Sequence, residues 1–178
     1  MGRTFQGDLR FALIAGAKAK LQMCAAAELS LRELAREIGV THVAAYRHFA
    51  DRDALLTAVA VADFEEMGST IRKSIASSDD AFVQAGVAYV TFALSRPHRF
   101  RSMFVQLGRG DAALKTAASA VLGQVEPLLG PDVDDRAARA IATWAAVHGL
   151  ACLTIDGAVP DNMPPPLEMA RAIQKLSR

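Results

Sequence analysis

Two short amphipathic segments joined by Gly39-Val40-Thr41 constrain this chain more than any other feature. Ser30 opens the first. With Glu33 three residues on it has the form of a capping box, and Leu31, Leu34, Ala35 and Ile38 supply an apolar face. Gly39 closes that helix, because a left-handed residue after the last turn favours glycine. Thr41 caps the second segment, which runs through Phe49. A connection of three residues containing glycine suits two helices that cross steeply. Val40 then plugs the corner, and Tyr46 and Phe49 reach back to the helices on either side. Thr41, His42, Ala45 and Arg47 or His48 remain on an outward face. Such short or hydrogen-bonding side chains suit a helix entering a DNA major groove about 12 Å wide.

The rest of the chain repeats apolar residues at spacings of three and four, so the expected fold class is all-α with about nine helices. A first helix is expected over Asp8–Ala26, with Leu9, Ala12, Leu13, Gly16, Ala17 and Leu21 as its buried stripe. Asp51 caps a fourth helix reaching about Arg72. Ser77-Ser78-Asp79-Asp80 is a break and a start signal for Ala81–Leu94, which Arg96-Pro97 ends. Helices are then expected over His98–Leu107, Asp111 to about Leu129, Asp134–Gly157 and Leu167–Leu176. Gly130-Pro131-Asp132 is the stop before the longest of them. The reading divides the chain into a three-helix helix-turn-helix domain over residues 1–55 and a helical effector-binding and dimerisation domain over 56–178.

Composition narrows the function. Hydrophobic residues make up 52% of 178, so wholesale disorder is excluded. Twenty Lys+Arg against 19 Asp+Glu exclude a polybasic coat but not a local basic face, and residues 1–50 hold seven basic against four acidic side chains. No uninterrupted apolar run reaches the roughly 18 residues of a membrane span, and the N-terminus lacks a signal peptide's apolar centre. Cys24 and Cys152 are too far apart for a disulfide framework or zinc spacing. The four histidines are scattered, and no phosphate loop, zinc-protease or nucleophile-elbow motif occurs. The expectation is a cytoplasmic protein without metal, cofactor or membrane.

Leu31–Thr41, followed by Ala45-Tyr46-Arg47-His48-Phe49 and Asp51-Arg52-Asp53-Ala54-Leu55-Leu56, resembles the DNA-binding region of the TetR family of transcriptional regulators. Gly7-Asp8-Leu9-Arg10 and Trp144-Ala145-Ala146-Val147-His148-Gly149 are similar to a subgroup with a C-terminal Trp-x-x-x-His-Gly helix. The chain departs from the family at Cys24–Glu28, where a glycine is usual, so the first helix is expected to run on. It departs again at Ala45, where the subgroup often has Pro or another small residue. The resemblance implies an all-α homodimer that binds a double-stranded operator. Its last two long helices would pair with their copies, and the larger domain would hold an effector whose binding releases DNA.

On this reading Thr41, His42, Val43 and Ala45 meet base edges, and Arg32, Tyr46, Arg47, His48 and Arg52 meet phosphates. Arg3 on the N-terminal arm is a candidate for the minor groove or a solvated tail. The helix at 134–157 is apolar nearly all round and carries a small-residue stripe at Ala138, Ala142, Ala145, Gly149 and Cys152. A stripe of that kind implies a two-fold partner, with Leu122, Val125 and Leu129 beside it. Tyr89, Phe92, Met103, Phe104, Leu107, Trp144 and His148 are candidate linings of a cavity for a small apolar or amphipathic effector, although each also suits ordinary core. The alternatives are a DNA-binding dimer without a small-molecule effector and, more remotely, a small helical enzyme.

Overall fold

The computed structural model describes residues 8–129, 134–160 and 162–177. Within them lie nine α-helices: α1 (Asp8–Lys20), α2 (Leu31–Ile38), α3 (His42–His48), α4 (Arg52–Ala76), α5 (Ala81–Ser95), α6 (Pro97–Leu107), α7 (Ala112–Leu122), α8 (Arg136–Ile155) and α9 (Pro166–Leu176). Two short 3-10 turns, Ala26–Glu28 and Glu126–Leu128, complete the described elements. The chain forms two compact units. One holds residues up to Asp63 together with His98–Lys115, and the other holds Phe64–Pro97 and the residues from Thr116 on. Compactness therefore divides the chain inside α4, later than the expected 55/56 boundary, and assigns most of α6 to the first unit. Arg3, Gly7 and the Gly130-Pro131-Asp132 stop lie outside the described residues.

In the first unit the local signals act as read. Ser30 Oγ accepts from the Glu33 N–H at 3.3 Å, Thr41 Oγ1 from Ala44 at 3.2 Å and Asp51 Oδ1 from Ala54 at 2.7 Å. Each satisfies a backbone donor that a helix start leaves unpaired, worth about 1 kcal/mol. Gly39 takes φ +82°, a conformation that side-chain-bearing residues resist. Leu13, Ala17, Leu21, Leu34, Ala35, Ala45 and Leu55 are almost wholly enclosed in one core. Each fully buried leucine contributes about 1.5–3 kcal/mol. Gly16 lets α1 lie close on α2, since a Cβ there would come within 2.8 Å of Leu34 Cδ1.

One expectation for α1 is corrected. The helix stops at Lys20, not Ala26, despite the missing glycine. Leu21–Cys24 instead close as turns onto Ala17, Ala19 and Lys20 carbonyls, and the Ala25 N–H donates to Glu28 Oε1 at 3.1 Å. Those turns need no left-handed residue, so glycine is dispensable there.

Asp63 of α4 was not singled out by sequence, yet it is fully buried. Lys18 Nζ of α1 stands 2.9 Å from its carboxylate, and Arg99 of α6 donates to both carboxylate oxygens. This buried ion cluster ties three helices of the first unit together.

The second unit is built on α5, which packs against both α8 and α9. Asp80 caps α5 through the Val83 N–H at 3.3 Å and also accepts from Gln174 Nε2 of α9 at 3.0 Å. Gly86 permits the α5–α9 approach, because a Cβ would sit 3.3 Å from that of Ala170. The helix expected over 111–129 ends at Leu122 instead. Pro127, which lacks an N–H and obstructs the preceding turn, leaves only a 3-10 turn beyond it.

Candidate nucleic-acid interface

The outward face of α3 follows from its first turn. Because Thr41 is the cap, its backbone is extended (φ −71°, ψ 147°) and its side chain turns onto the Ala44 N–H. Thr41, His42, Val43, Tyr46 and Arg47 are exposed. His48 is half-buried. Ala45 is wholly buried, so its expected base contact is withdrawn: it anchors α3 to the core. Phe49 is buried, with the Arg10 guanidinium 5.2 Å from its ring centre. Tyr46 does not pack back as expected, being 46% exposed.

Between α2 and α3 runs an open recess lined by Ser30, Arg32, Glu33, Arg36, Val40, Thr41, His42 and Val43. It brings Arg32 together with the three remaining base-contact candidates. It also adds Arg36, which sequence reasoning passed over although it lies one helical turn beyond Arg32. Arg52, exposed at the start of α4, donates to the Ala27 carbonyl at 3.1 Å and lies 3.7 Å from Asp53 Oδ1. It therefore braces the helix start as well as facing solvent. The ion pair of Arg109 with Asp53, at 2.5 Å, holds the Asp53 carboxyl below its usual range. The surface offers hydrogen-bonding and methyl groups for base edges, flanked by guanidinium groups for phosphates.

In the second unit α8 buries Ala140, Thr143, Val147, Leu150 and Ala151. Its opposite side leaves Ala138, Ala142 and Ala145 exposed, with Gly149 and Cys152 half-buried. Ile141 and Leu153 beside them are 54% and 51% exposed. A Cβ at Gly149 would meet nothing within 4 Å, so no contact within the described chain requires a glycine there. By length and mean hydropathy α8 is apolar enough to cross a membrane, although Arg139, Thr143 and His148 interrupt its apolar run as the sequence indicated. Leu129 is buried and Val125 lines an internal cavity, so these two expected interface residues point inward. Leu122 is half-buried.

That cavity, of about 40 Å³, lies among α4, α5, α7, α8 and α9, with walls including Ile71, Phe82, Tyr89, Val121, Trp144 and Val147. Tyr89 and Trp144 line it as expected, but the other five effector candidates do not. Phe92 is buried under the Arg96 guanidinium. Met103 is enclosed in the first unit, and Phe104 packs on Phe100 with ring centres 5.0 Å apart. Leu107 also belongs to the first unit. His148 stands behind the lining, its Nδ1 2.9 Å from the Tyr89 hydroxyl and its Nε2 3.4 Å from Cys152 Sγ. Trp144 Nε1 donates to the same hydroxyl at 3.3 Å. Burial pushes the Tyr89 phenol up and holds the His148 imidazole below its usual range. Among the described residues no group of three or more His, Cys, Asp or Glu could hold a metal ion.

Comparisons with known proteins agree with this architecture. Residues 13–59 match the family described as bacterial regulatory proteins, tetR family, and residues 82–175 match the tetracyclin repressor-like C-terminal domain. A protein of unknown function from Rhodococcus sp. RHA1 is 27% identical with a TM-score of 0.85, covering 99% of this chain and 97% of that one. The TetR family transcriptional regulator PfmR from Thermus thermophilus is 16% identical with a TM-score of 0.66, covering 93% and 96%. The fatty acid degradation regulator FadR from Bacillus halodurans is 11% identical with a TM-score of 0.69, covering 97% and 95%. No curated protein matches the sequence. With family matches over residues 13–59 and 82–175, the chain belongs to the TetR family of DNA-binding transcriptional regulators, which are not enzymes.

Proposed function

We propose that the chain is a homodimeric, cytoplasmic repressor whose two α3 helices read the half-sites of a double-stranded operator. The observation that carries this reading is the exposed Thr41-His42-Val43 start of α3, flanked in one recess by Arg32 and Arg36. Side chains near the N-terminus of a recognition helix are those that meet base edges. Arg32, Arg36, Tyr46, Arg47, His48 and Arg52 are assigned to phosphates, which position the protein and set its salt dependence.

Dimerisation is assigned to the bare side of α8, through Ala138, Ala142, Ala145, Gly149 and Cys152, flanked by Ile141 and Leu153. Small residues allow a second helix to approach closely, and a two-fold interface presents the same patch twice. Leu122 stays a peripheral candidate. Leu167 and Leu176 of α9, 39% and 82% exposed, replace Val125 and Leu129 as its neighbours. A soluble dimer accounts for the apolar length of α8 without a membrane. We also assign the chain to the subgroup with a Trp-x-x-x-His-Gly helix. Trp144 and His148 of α8 both engage the Tyr89 hydroxyl, which gives the motif a structural role.

We assign control to a small apolar effector in the α5–α8 cavity. Such a ligand lowers operator affinity only by its preference for a conformer that does not fit DNA. Helix α4 is the lever, because it begins in the recognition unit and ends in the cavity wall. One observation favours the second reading, a dimer without a small-molecule effector. The cavity of about 40 Å³ is far below the roughly 300–1,000 Å³ of ordinary ligand pockets. Selecting genome fragments on the purified protein, and repeating the selection with metabolite extract, separates the readings. Enrichment of a palindromic site that the extract abolishes supports the effector. Enrichment that the extract leaves unchanged supports the second reading, and no enrichment contradicts both.

A further inference from the structure

Arg10, in the first turn of α1, is exposed, and its guanidinium is held by a ring. It lies 5.2 Å from the centre of Phe49, a buried side chain at the carboxyl cap of α3. A cation against an aromatic face is worth about 0.5–1 kcal/mol at an exposed site. Among the described residues Arg10 has no carboxylate partner. Lys18, Lys20, Arg99 and Arg109 differ in this respect. Each of those cations, in the same unit, is matched by an acid: Asp63, Glu37, Asp63 and Asp53 in turn.

The direction of α1 puts the Arg10 guanidinium on the recognition side. Eight residues further along α1, a rise of about 12 Å, Lys18 meets Asp63 midway along α4. Arg10 meets Phe49, which precedes the start of α4 at Arg52. The two helices therefore run side by side in one direction, with their amino ends at the carboxyl end of α3. Arg47, exposed, and His48, half-buried, stand on the last turn of α3. Arg32 and Arg36 stand by its other end, in the recess with Thr41, His42 and Val43. The seven residues of α3 span about 10 Å, close to the roughly 12 Å width of a major groove. Cations thus flank α3 at both ends, at about the spacing of the two phosphate walls.

We propose that Arg10 is a phosphate-binding residue, held by Phe49 so that it meets the DNA backbone beside the carboxyl end of α3. The proposal rests on the DNA reading of α3 and adds to it a contact from a helix outside the helix-turn-helix. Contact with a ring engages the charge of a guanidinium and leaves its five N–H donors for phosphate oxygens. A side chain already held in place also loses less rotamer freedom on binding.

Fluorescence anisotropy of a labelled random-sequence duplex, titrated with the full chain over a series of salt concentrations, reads the contact, because phosphate binding needs no particular sequence. Arg10→Met removes the charge while its thioether chain still covers Phe49. It is expected to lower the slope of log affinity against log salt by about one per chain, with circular dichroism showing the fold retained. Arg10→Lys keeps the charge and is expected to restore most of that slope. Arg171→Met takes the same charge from an exposed position on α9 and is expected to leave the slope as it was. An unchanged slope in Arg10→Met would mean that Arg10 only covers the Phe49 ring, and would overturn the proposal. So would an equal fall in Arg171→Met, the mark of net charge alone, or an equal fall in Arg10→Lys, the mark of a displaced α3. A wild-type chain that binds no duplex at low salt would overturn the DNA reading of α3 and this proposal together.

Discussion

The two units of this chain finish their interiors differently. In the first, leucines and alanines close the core, and the buried acid Asp63 is matched by Lys18 and Arg99. Its open chemistry lies on the surface, at the start of α3. In the second, an amide oxygen is left unpaired inside and an apolar helix face is left bare outside. The first unit is complete in one chain and presents hydrogen-bonding groups to a polyanion. The second leaves a helix face bare, which the proposed second copy would cover. We propose that recognition falls to the self-sufficient unit, and regulation to the unit with unmet contacts.

Five substitutions and one titration probe that contrast. The largest effect is expected from Asp63→Ala, which leaves Arg99 charged and enclosed in the first unit. Removing one member of a buried ion cluster costs about 3–5 kcal/mol. Denaturant unfolding should show that loss, and a loss under about 1 kcal/mol, the scale of an exposed pair, would mean that the cluster is not what completes this unit. Next is Ala145→Arg on the bare side of α8. A charge forced into a close helix contact should weaken self-association by about a hundredfold or more, the scale of an interface hot spot. Sedimentation should find single chains that remain folded, and an unchanged dimer would assign the interface elsewhere.

Smaller effects are expected at the DNA surface. His42→Ala should cost about 1–3 kcal/mol at one position of the operator and little on random DNA. Equal losses on both would remove His42 from base reading. Arg32→Ala and Arg36→Ala should each reduce the salt slope of binding by about one and weaken all sequences alike. A slope unchanged by Arg36→Ala would take it off the phosphate list. The smallest effect concerns His148, whose imidazole is held below its usual range by burial. The unfolded chain takes up that proton first, near pH 6.5, so the contribution is complete above that value and declines as pH falls through it. Thermal midpoints of the wild type should therefore fall relative to His148→Asn between about pH 7.5 and 5, and parallel curves would refute the linkage.

Much of the first unit was legible because its signals are local. Ser30, Gly39, Thr41 and Asp51 act within four residues of themselves, and each does in the structure what its residue type suggests. Ala45 was misread for a definable reason. It lies four residues after Thr41 and so looked like the same helix face, but a cap residue stands off the helical register. Asp63 gave no warning, because its partners are 45 residues before it and 36 after it in the chain. Cavity lining was the least legible feature. Phe92, Met103 and Trp144 are all large apolar residues on helices, and only tertiary packing separates core from void. Pro127 was a readable stop that the apolar periodicity around it obscured.

We propose that two copies of the exposed α3 start read DNA sequence together. The most direct test is the stoichiometry and affinity of binding to a selected operator against random duplex of equal length, at fixed salt. Two chains per site and a preference of at least about a thousandfold for the operator, the lower end for specific binders, are expected. One chain per site, or equal affinity for both duplexes, would contradict it.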